Sequence, residues 1–353
     1  MPKKRKTLTD NVQEIIDSGD FEAFKAIFDK CEISATNRGK TTQNIFSYQG
    51  LTPKHITFLI ENGIDVNADA GWGLPPVAHQ SSSLENLQCL IAHGADIDFA
   101  VNSVNGNALF HAARHQRSLA VRNLLQCGAS PDVNGGYYGN SALDEALSRY
   151  SNIDIVNMLD VARQLLHAGV QKTDKSLEYV RKIGEQFEFY RADFNVNYVE
   201  EFSDALQELY QLFDVAPVPR RVIHDGTAKI VVTSKTWQEQ HTELWDMLVP
   251  GKGAASTVQG ELIRITGRLT NEILDNGGIN WDSEYRKMAK ALVEYFHVAD
   301  GMDRMLVEEA CSLAKMISSR SDEGMLYRLT ELAVKWVIAN PDPITLSNVT
   351  YKR

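Results

Sequence analysis

The sequence predicts a mainly all-α protein, in which a solenoid of helical repeats is followed by a helical C-terminal module with at most one short β-hairpin. Two observations predict it. In the first half a glycine-centred motif recurs with a period of 33 residues, and in the second half apolar residues recur at spacings of three and four. With 353 residues, of which 43% are hydrophobic, the chain can form two or three domains. This composition excludes collagen-like, coiled-coil and wholly disordered chains.

The repeat of the first half consists of two motifs. The first is a glycine that precedes a short helix rich in small residues, and its copies begin at Gly73, Gly106 and Gly139. The second is an apolar pair followed, after two intervening residues, by a glycine that ends a helix, and its copies end at Gly63, Gly94, Gly128 and Gly169. Glycine is favoured at both places because tight turns and helix ends need a left-handed backbone. This pattern resembles the ankyrin repeat, a turn followed by two antiparallel helices.

The resemblance divides the chain into four parts. Residues 1–10 are expected to be a disordered basic tail, and residues 11–172 hold about four to five repeats, of which the terminal ones are atypical. Residues 173–216 are predicted to form a helical cap or connector, and residues 217–353 the helical C-terminal module. The whole layout also resembles an uncharacterised group of bacterial ankyrin-repeat proteins, which implies a fold and no activity.

Apolar periodicity predicts the helices beyond the repeats. Their ranges are Ser176–Ala192, Asn195–Asp214, Trp237–Leu248, Thr257–Asn276, Trp281–Val298, Met305–Ser318 and Met325–Ala339. The segment Lys229–Thr233 reads as a short strand. It is predicted to pair with Arg221–His224 across the turn at Asp225-Gly226, forming the one hairpin.

The charge and the cysteine content of the chain limit the kinds of partner and the cellular compartment that we expect. The chain has 36 basic and 46 acidic residues, a net charge of −10, and removal of the basic run 3–6 leaves 32 basic residues against the same 46. The negatively charged remainder of the chain is repelled by phosphate groups, so we expect neither a nucleic acid nor a membrane as partner. We expect instead a protein partner with a basic surface. The four cysteines are far apart, and neither a signal peptide nor a long apolar segment is present. The sequence therefore predicts a cytoplasmic protein with reduced thiols, without cofactor or metal.

The ankyrin resemblance implies a concave binding face made of turn tips and first helices. Counting from the turn glycines selects nine partner-binding candidates: Trp72, His79, Asn105, Arg114, His115, Tyr137, Tyr138, Arg149 and Tyr150. Trp, Tyr and Arg are the residues that most often anchor interfaces. The alternative for Trp72 and Tyr138 is packing against adjacent turns. His111 and His115 have the spacing of a helical metal pair but lack a third ligand nearby in sequence, which favours a structural role.

A second, weaker set of polar residues lies in the C-terminal module. A possible site there consists of Lys252, Gln259, Glu261, Arg264, Arg268 and Trp281. The Gly-Lys-Gly turn at 251–253 precedes a helix, but the Ser/Thr ending of a nucleotide-binding loop is missing. The alternative is a surface ladder of ion pairs, in which Glu261 meets Arg264 or Arg268 at helical spacing.

These observations favour a non-catalytic protein-binding protein. In a bacterium the specific role would be that of an immunity protein or antitoxin, which neutralises a toxin by covering its cleft. The alternatives are an effector, whose basic tail resembles a nuclear-import signal, and a two-part enzyme, in which the repeats recruit a substrate to the C-terminal module. The sequence contains none of the common catalytic motifs.

Overall fold

The computed structural model describes residues 3–136, 138–149, 154–195 and 197–353. They form two compact units: an N-terminal unit of Met1–Gly184 with Val196–Pro217, and a C-terminal unit of Glu185–Asn195 with Val218–Arg353. The fold is mainly helical with two very small sheets, which confirms the predicted class. In the described ranges we find no helix with the length and apolar character needed to cross a membrane.

The N-terminal unit is built from paired helices. They are α1 (Val12–Ser18), α2 (Phe21–Lys30), α3 (Pro53–Glu61), α4 (Pro76–Gln80), α5 (Leu84–Ala92), α6 (Ala108–Arg114), α7 (Ser118–Gln126), α8 (Ala142–Ser148), α9 (Ile155–His167) and α11 (Val199–Phe213). Helices α4, α6 and α8 pack side by side as one row, the first-helix row. Helices α3, α5, α7, α9 and α11 form a second row, in which α11 packs on α9.

Small side chains and buried amides hold successive repeats together. Ala112 and Ala113 of α6 are fully buried, so α4 and α8 approach α6 closely. The side-chain amides of three buried residues donate to carbonyls of neighbouring repeats at 2.7–2.9 Å: Gln80 to Phe46, Gln116 to Ala146 and Asn123 to Ser81. Each such bond contributes about 1 kcal/mol, and its loss would leave a buried polar group unpaired.

Residues near the N-terminus are ordered, where the sequence predicted a disordered tail. Strand β1 (Arg5–Thr7) pairs in parallel with β2 (Cys31–Thr36). Leu8 is buried, and Lys4 donates a 2.6 Å hydrogen bond from Nζ to the Phe28 carbonyl. The prediction is wrong for these residues because the edge of β2 and an apolar site for Leu8 hold the segment. The second sheet pairs β3 (Asn134–Gly135) with β4 (Asn140–Ser141).

The C-terminal unit packs helices around a central one. They are α12 (Trp237–Leu248), α13 (Val258–Thr270), α14 (Ser283–Phe296), α15 (Arg304–Met316) and α16 (Glu323–Ala339), and each matches a helix predicted from the sequence. Helix α13 contacts α12, α14 and α16 and continues into one π-helical turn, Asn271–Asp275. Its buried stripe, Leu262, Ile265 and Leu269, lies in the core of this unit.

The predicted hairpin does not form, because other partners take its backbone groups. The His224 N–H donates to the Met247 carbonyl at 2.9 Å, and the Ile230 N–H donates to the Pro341 carbonyl at 2.8 Å. The Arg221 guanidinium donates to carbonyls at the end of α12, including Asp246 at 2.6 Å. The predicted connector is also not a separate part, since α10 (Asp174–Tyr190) begins in the N-terminal unit and ends in the C-terminal one.

Candidate functional site

A groove of about 500 Å³ lies between the turn tips and the first-helix row of the N-terminal unit. Five of the nine predicted partner-binding residues line it together: Trp72, His79, Asn105, Arg114 and His115. Sequence reasoning missed three further lining residues, Leu74, Ala78 and Arg117, and assigned His111 a structural role only. The basic run from Arg114 to Arg117 at the end of α6 was the available signal for Arg117.

The turn tip at Trp72 is held rigidly. One carboxylate oxygen of Asp69 accepts hydrogen bonds of 2.8–3.2 Å from three backbone N–H groups of the tip, those of Gly71, Gly73 and Leu74. Trp72 itself has φ +57°, a left-handed conformation that is unusual for a residue with a side chain. Its side chain is 56% exposed. The tip therefore presents an aromatic ring to solvent in one fixed orientation.

The next repeat locks this tip. The Asn105 side-chain amide donates to the Trp72 carbonyl at 2.7 Å and to the Gly73 carbonyl at 3.3 Å. Gly73 has φ +70°, and a Cβ there would lie 2.4 Å from the Asn102 amide nitrogen. A side chain here would be strained at this φ and would displace the amides of Asn102 and Asn105, so glycine favours the close approach of the two tips. Asn105 thus positions Trp72 as well as lining the groove.

Three imidazoles lie in the groove and are neutral at pH 7. The His79 Nε2 lies 3.1 Å from the Gly71 carbonyl, and its ring centroid is 5.9 Å from that of Trp72. The His111 and His115 centroids are 4.5 Å apart. Burial lowers the pKa of His111 to about 3, and the neighbouring charges, His115 and Arg117 first, act in the same direction. Burial also lowers the pKa values of His79 and His115, each with a further contribution from Arg117.

The groove is cationic. Arg114 and Arg149 share one carboxylate oxygen of buried Glu145, at 3.4 and 3.3 Å. Arg117 has neither an ion pair nor a side-chain hydrogen bond within the described part of the chain. Three guanidinium groups, those of Arg114, Arg117 and Arg149, thus lie in or beside the groove, against the carboxylates of Glu145 and Asp69. The net charge of −10 averages over the whole chain and does not describe this face.

The remaining four partner-binding candidates lie away from the groove or outside the described residues. Tyr138 is 85% exposed beside the β3–β4 turn and does not line the groove. Arg149 reaches it only through Glu145. Tyr137 and Tyr150 lie outside the described residues. Among those described, no group of three His, Cys, Asp or Glu residues is arranged to hold a metal ion.

Half of the polar set of the C-terminal unit, Gln259, Glu261 and Arg264, is structural. Glu261 and Arg264 form a fully buried ion pair at 2.6 Å, and the Tyr351 hydroxyl donates to Glu261 at 2.6 Å. The Gln259 amide donates to the carbonyls of Asn340 and Asp342 at 2.9 and 2.8 Å. The predicted surface ladder is wrong, because residues 340–353 cover this end of α13.

The other three members of the set do not join this buried cluster. Lys252 is exposed on its loop. The Trp281 ring stacks on Tyr285, with the centroids 5.6 Å apart. Arg268 is half-buried and lines a separate cleft. The six residues therefore do not form one site.

The N-terminal unit repeats a turn followed by two antiparallel helices, and the first helices of these repeats form one row. This is the arrangement of a non-catalytic protein-interaction module. The family described as Ankyrin repeats (3 copies) matches residues 76–176, which include the first-helix row. These repeats indicate that the N-terminal unit binds another protein. No curated protein matches the chain.

Proposed function

We propose that the protein is a non-catalytic binding protein that captures an acidic segment of a partner protein in the groove. The observation that carries the proposal is Trp72, an exposed aromatic ring at the rim of a cationic groove. A left-handed backbone at such a residue costs about 1–2 kcal/mol. The hydrogen bonds of Asp69 and Asn105 offset this cost in the free protein, and the ring that they position is 56% exposed and free to anchor a partner.

The groove supplies complementary chemistry for such a segment. Arg117 can form charge-assisted hydrogen bonds with a carboxylate, which are about twice as strong as neutral ones. Trp72 offers apolar surface for a side chain between the acidic residues. The partner segment is thus acidic with interspersed apolar residues, in place of the basic surface that the net charge suggested.

Calorimetry with two defined peptides tests this function. We expect the full-length protein to bind a peptide of alternating Glu and Leu and not its Lys and Leu counterpart. Arg117→Gln should weaken binding at least about tenfold. Arg122→Gln is the matched control, since Arg122 is exposed on α7, the helix that begins directly after Arg117, but does not line the groove. Preference for the Lys peptide, or equal losses in both variants, would contradict the proposal.

The specific role that we propose for this capture is neutralisation of a toxin, as an immunity protein or antitoxin. A repeat scaffold with a rigid aromatic tip suits the blocking of a partner's cleft. The test is co-expression with the product of each neighbouring gene. One product should be toxic alone and harmless beside this chain, with toxicity restored by Arg117→Gln. Absence of any toxic neighbour would refute this role and leave peptide binding intact.

The alternative is a two-part protein, enzyme or effector, in which the repeats recruit a substrate to the C-terminal unit. The observation that favours it is a cleft in that unit, lined by aromatic rings and one arginine. Turnover of a captured protein by the full-length chain would support this alternative, and its abolition by a substitution in the cleft would locate the activity.

A further inference from the structure

The C-terminal unit contains a cleft of about 470 Å³ between the end of α10 and helices α12 and α13. Its characteristic lining residues are Tyr190, His241, Trp245, Arg268, Asn271 and Tyr285. Small-molecule sites commonly have volumes of about 300–1,000 Å³ and combine aromatic walls with a few polar groups. The cleft belongs to neither the groove nor the buried Glu261 cluster.

Arg268 is the unusual residue of this cleft. It is half-buried, and among the described residues it has no ion pair and no side-chain hydrogen bond. Other arginines of this unit hold carboxylates: Arg264 holds Glu261, Arg328 holds Glu309 and Glu331, and Arg353 holds Asp282. Burial lowers the pKa of Arg268, and the charge of Arg264 acts in the same direction. Its guanidinium nevertheless stays charged at pH 7, because the ordinary pKa of arginine is above 12.

No carboxylate on the same helix is free to pair with Arg268. Glu261 accepts from Arg264, from the Tyr351 hydroxyl and from the Ala255 N–H. A half-buried cation without a counter-charge is unfavourable, and an anion bound in the cleft would offset that cost.

The walls of the cleft suit a flat ring. Trp245 stacks on Phe189, with centroids 6.1 Å apart and an interplanar angle of 14°. Trp245 can lie against α13 only because residue 267 is glycine, since a Cβ there would be 2.5 Å from Cζ3 of the indole. The His241 ring also lines the cleft; burial lowers its pKa, and a backbone hydrogen bond with Ile263 acts in the opposite direction. The cleft therefore offers an aromatic surface and a cation.

We infer that this cleft binds a small organic anion, in which a planar ring carries a carboxylate or phosphate group. Arg268 pairs with the anionic group, and the ring of the ligand lies against the aromatic side chains that line the cleft, Trp245 and Tyr285 among them. This site is independent of the proposed peptide capture, because it uses another unit and other residues.

Calorimetry on the full-length protein with benzoate, phenyl phosphate and uncharged benzamide tests the inference. At least one of the two anions should bind, at least about tenfold more tightly than benzamide. The better anion distinguishes a carboxylate from a phosphate ligand. Arg268→Gln should weaken its binding at least about tenfold. Arg286→Gln removes an equal charge from an exposed position on α14 and should leave binding within about twofold.

Three results would overturn the inference: no binding of either anion up to about 10 mM, equal binding of benzamide, or unchanged binding by Arg268→Gln. If Arg268→Gln does not fold, the Trp245 indole N–H resonance of the unsubstituted protein decides, assigned with Trp245→Phe. A shift with the anion and not with benzamide supports the site, and an unmoved resonance refutes it.

Discussion

At the scale of single residues, backbone strain and ring exposure at Trp72 can be separated by two substitutions. Trp72→Ala removes the ring but keeps a Cβ at φ +57°, whereas Trp72→Gly removes both. We expect the free energy of unfolding of the Gly variant to be about 1 kcal/mol higher than that of the Ala variant, so the Gly variant is the more stable. Both should lose binding of the acidic peptide to the same extent. Urea unfolding and calorimetry measure the two effects. Equal stability of the two variants would show that the left-handed conformation is not strained.

His111 should make the N-terminal unit sensitive to acid. In the folded state the His111 imidazole takes up a proton only near pH 3, because its pKa is lowered to about 3, whereas in the unfolded state it does so near pH 6.5. Between these values the unfolded state holds more protons, so stability falls as the pH falls. From pH 7.5 to 5.0 the unsubstituted protein should lose about 1–2 kcal/mol more unfolding free energy than His111→Asn. Urea titrations at both pH values measure the difference. Parallel losses would place the pKa of His111 near its ordinary value.

At the scale of elements, the segment after α16 is part of the core around α13. The Tyr351 hydroxyl lies 2.6 Å from Glu261 and 2.9 Å from the Tyr295 hydroxyl. Burial, and then the hydrogen bond to Glu261, raise the pKa of Tyr351, so it stays protonated as a donor. Tyr351→Phe should destabilise the protein by about 1–3 kcal/mol, because it leaves Glu261 with one donor fewer.

Tyr327→Phe is the matched control for this prediction, since Tyr327 is exposed on α16. Chemical unfolding, followed by circular dichroism, should show no measurable change for it. Equal effects of the two substitutions would mean that the C-terminal segment does not stabilise α13.

At the scale of the whole molecule, sequence patterns predicted the features that depend on residues close together in sequence. The helices follow from apolar spacing, and the face that carries Trp72, His79 and Arg114 follows from counting along a 33-residue period. The burial of Glu261 could not be predicted in this way, because the covering Tyr351 is 90 residues away in sequence. Strand β1 has only three residues and no periodicity to detect. Net charge likewise carries no information about where charges meet in space, so the arginines around the groove could not be inferred from it.

The chain as a whole is negative, whereas the groove is positive and contains neutral imidazoles. We therefore expect binding of the acidic peptide to be accompanied by proton uptake. The net charge of −10 repels an acidic peptide, and acidification towards the pI of about 5.4 removes that repulsion. In the complex, carboxylates beside His79 and His115 would raise imidazole pKa values that burial has lowered in the free protein. The complex then holds more protons than its free components, so affinity should increase as the pH falls from 7.5 to 6.

Calorimetry in two buffers of different ionisation enthalpy measures this uptake directly, and we expect a net gain of a fraction of a proton per peptide bound. His79→Gln combined with His115→Gln should reduce the gain and flatten the pH dependence, while the Arg122→Gln control should preserve both. Proton release on binding, or uptake that is unchanged without the two histidines, would show that the peptide carboxylates do not enter the groove beside the imidazoles.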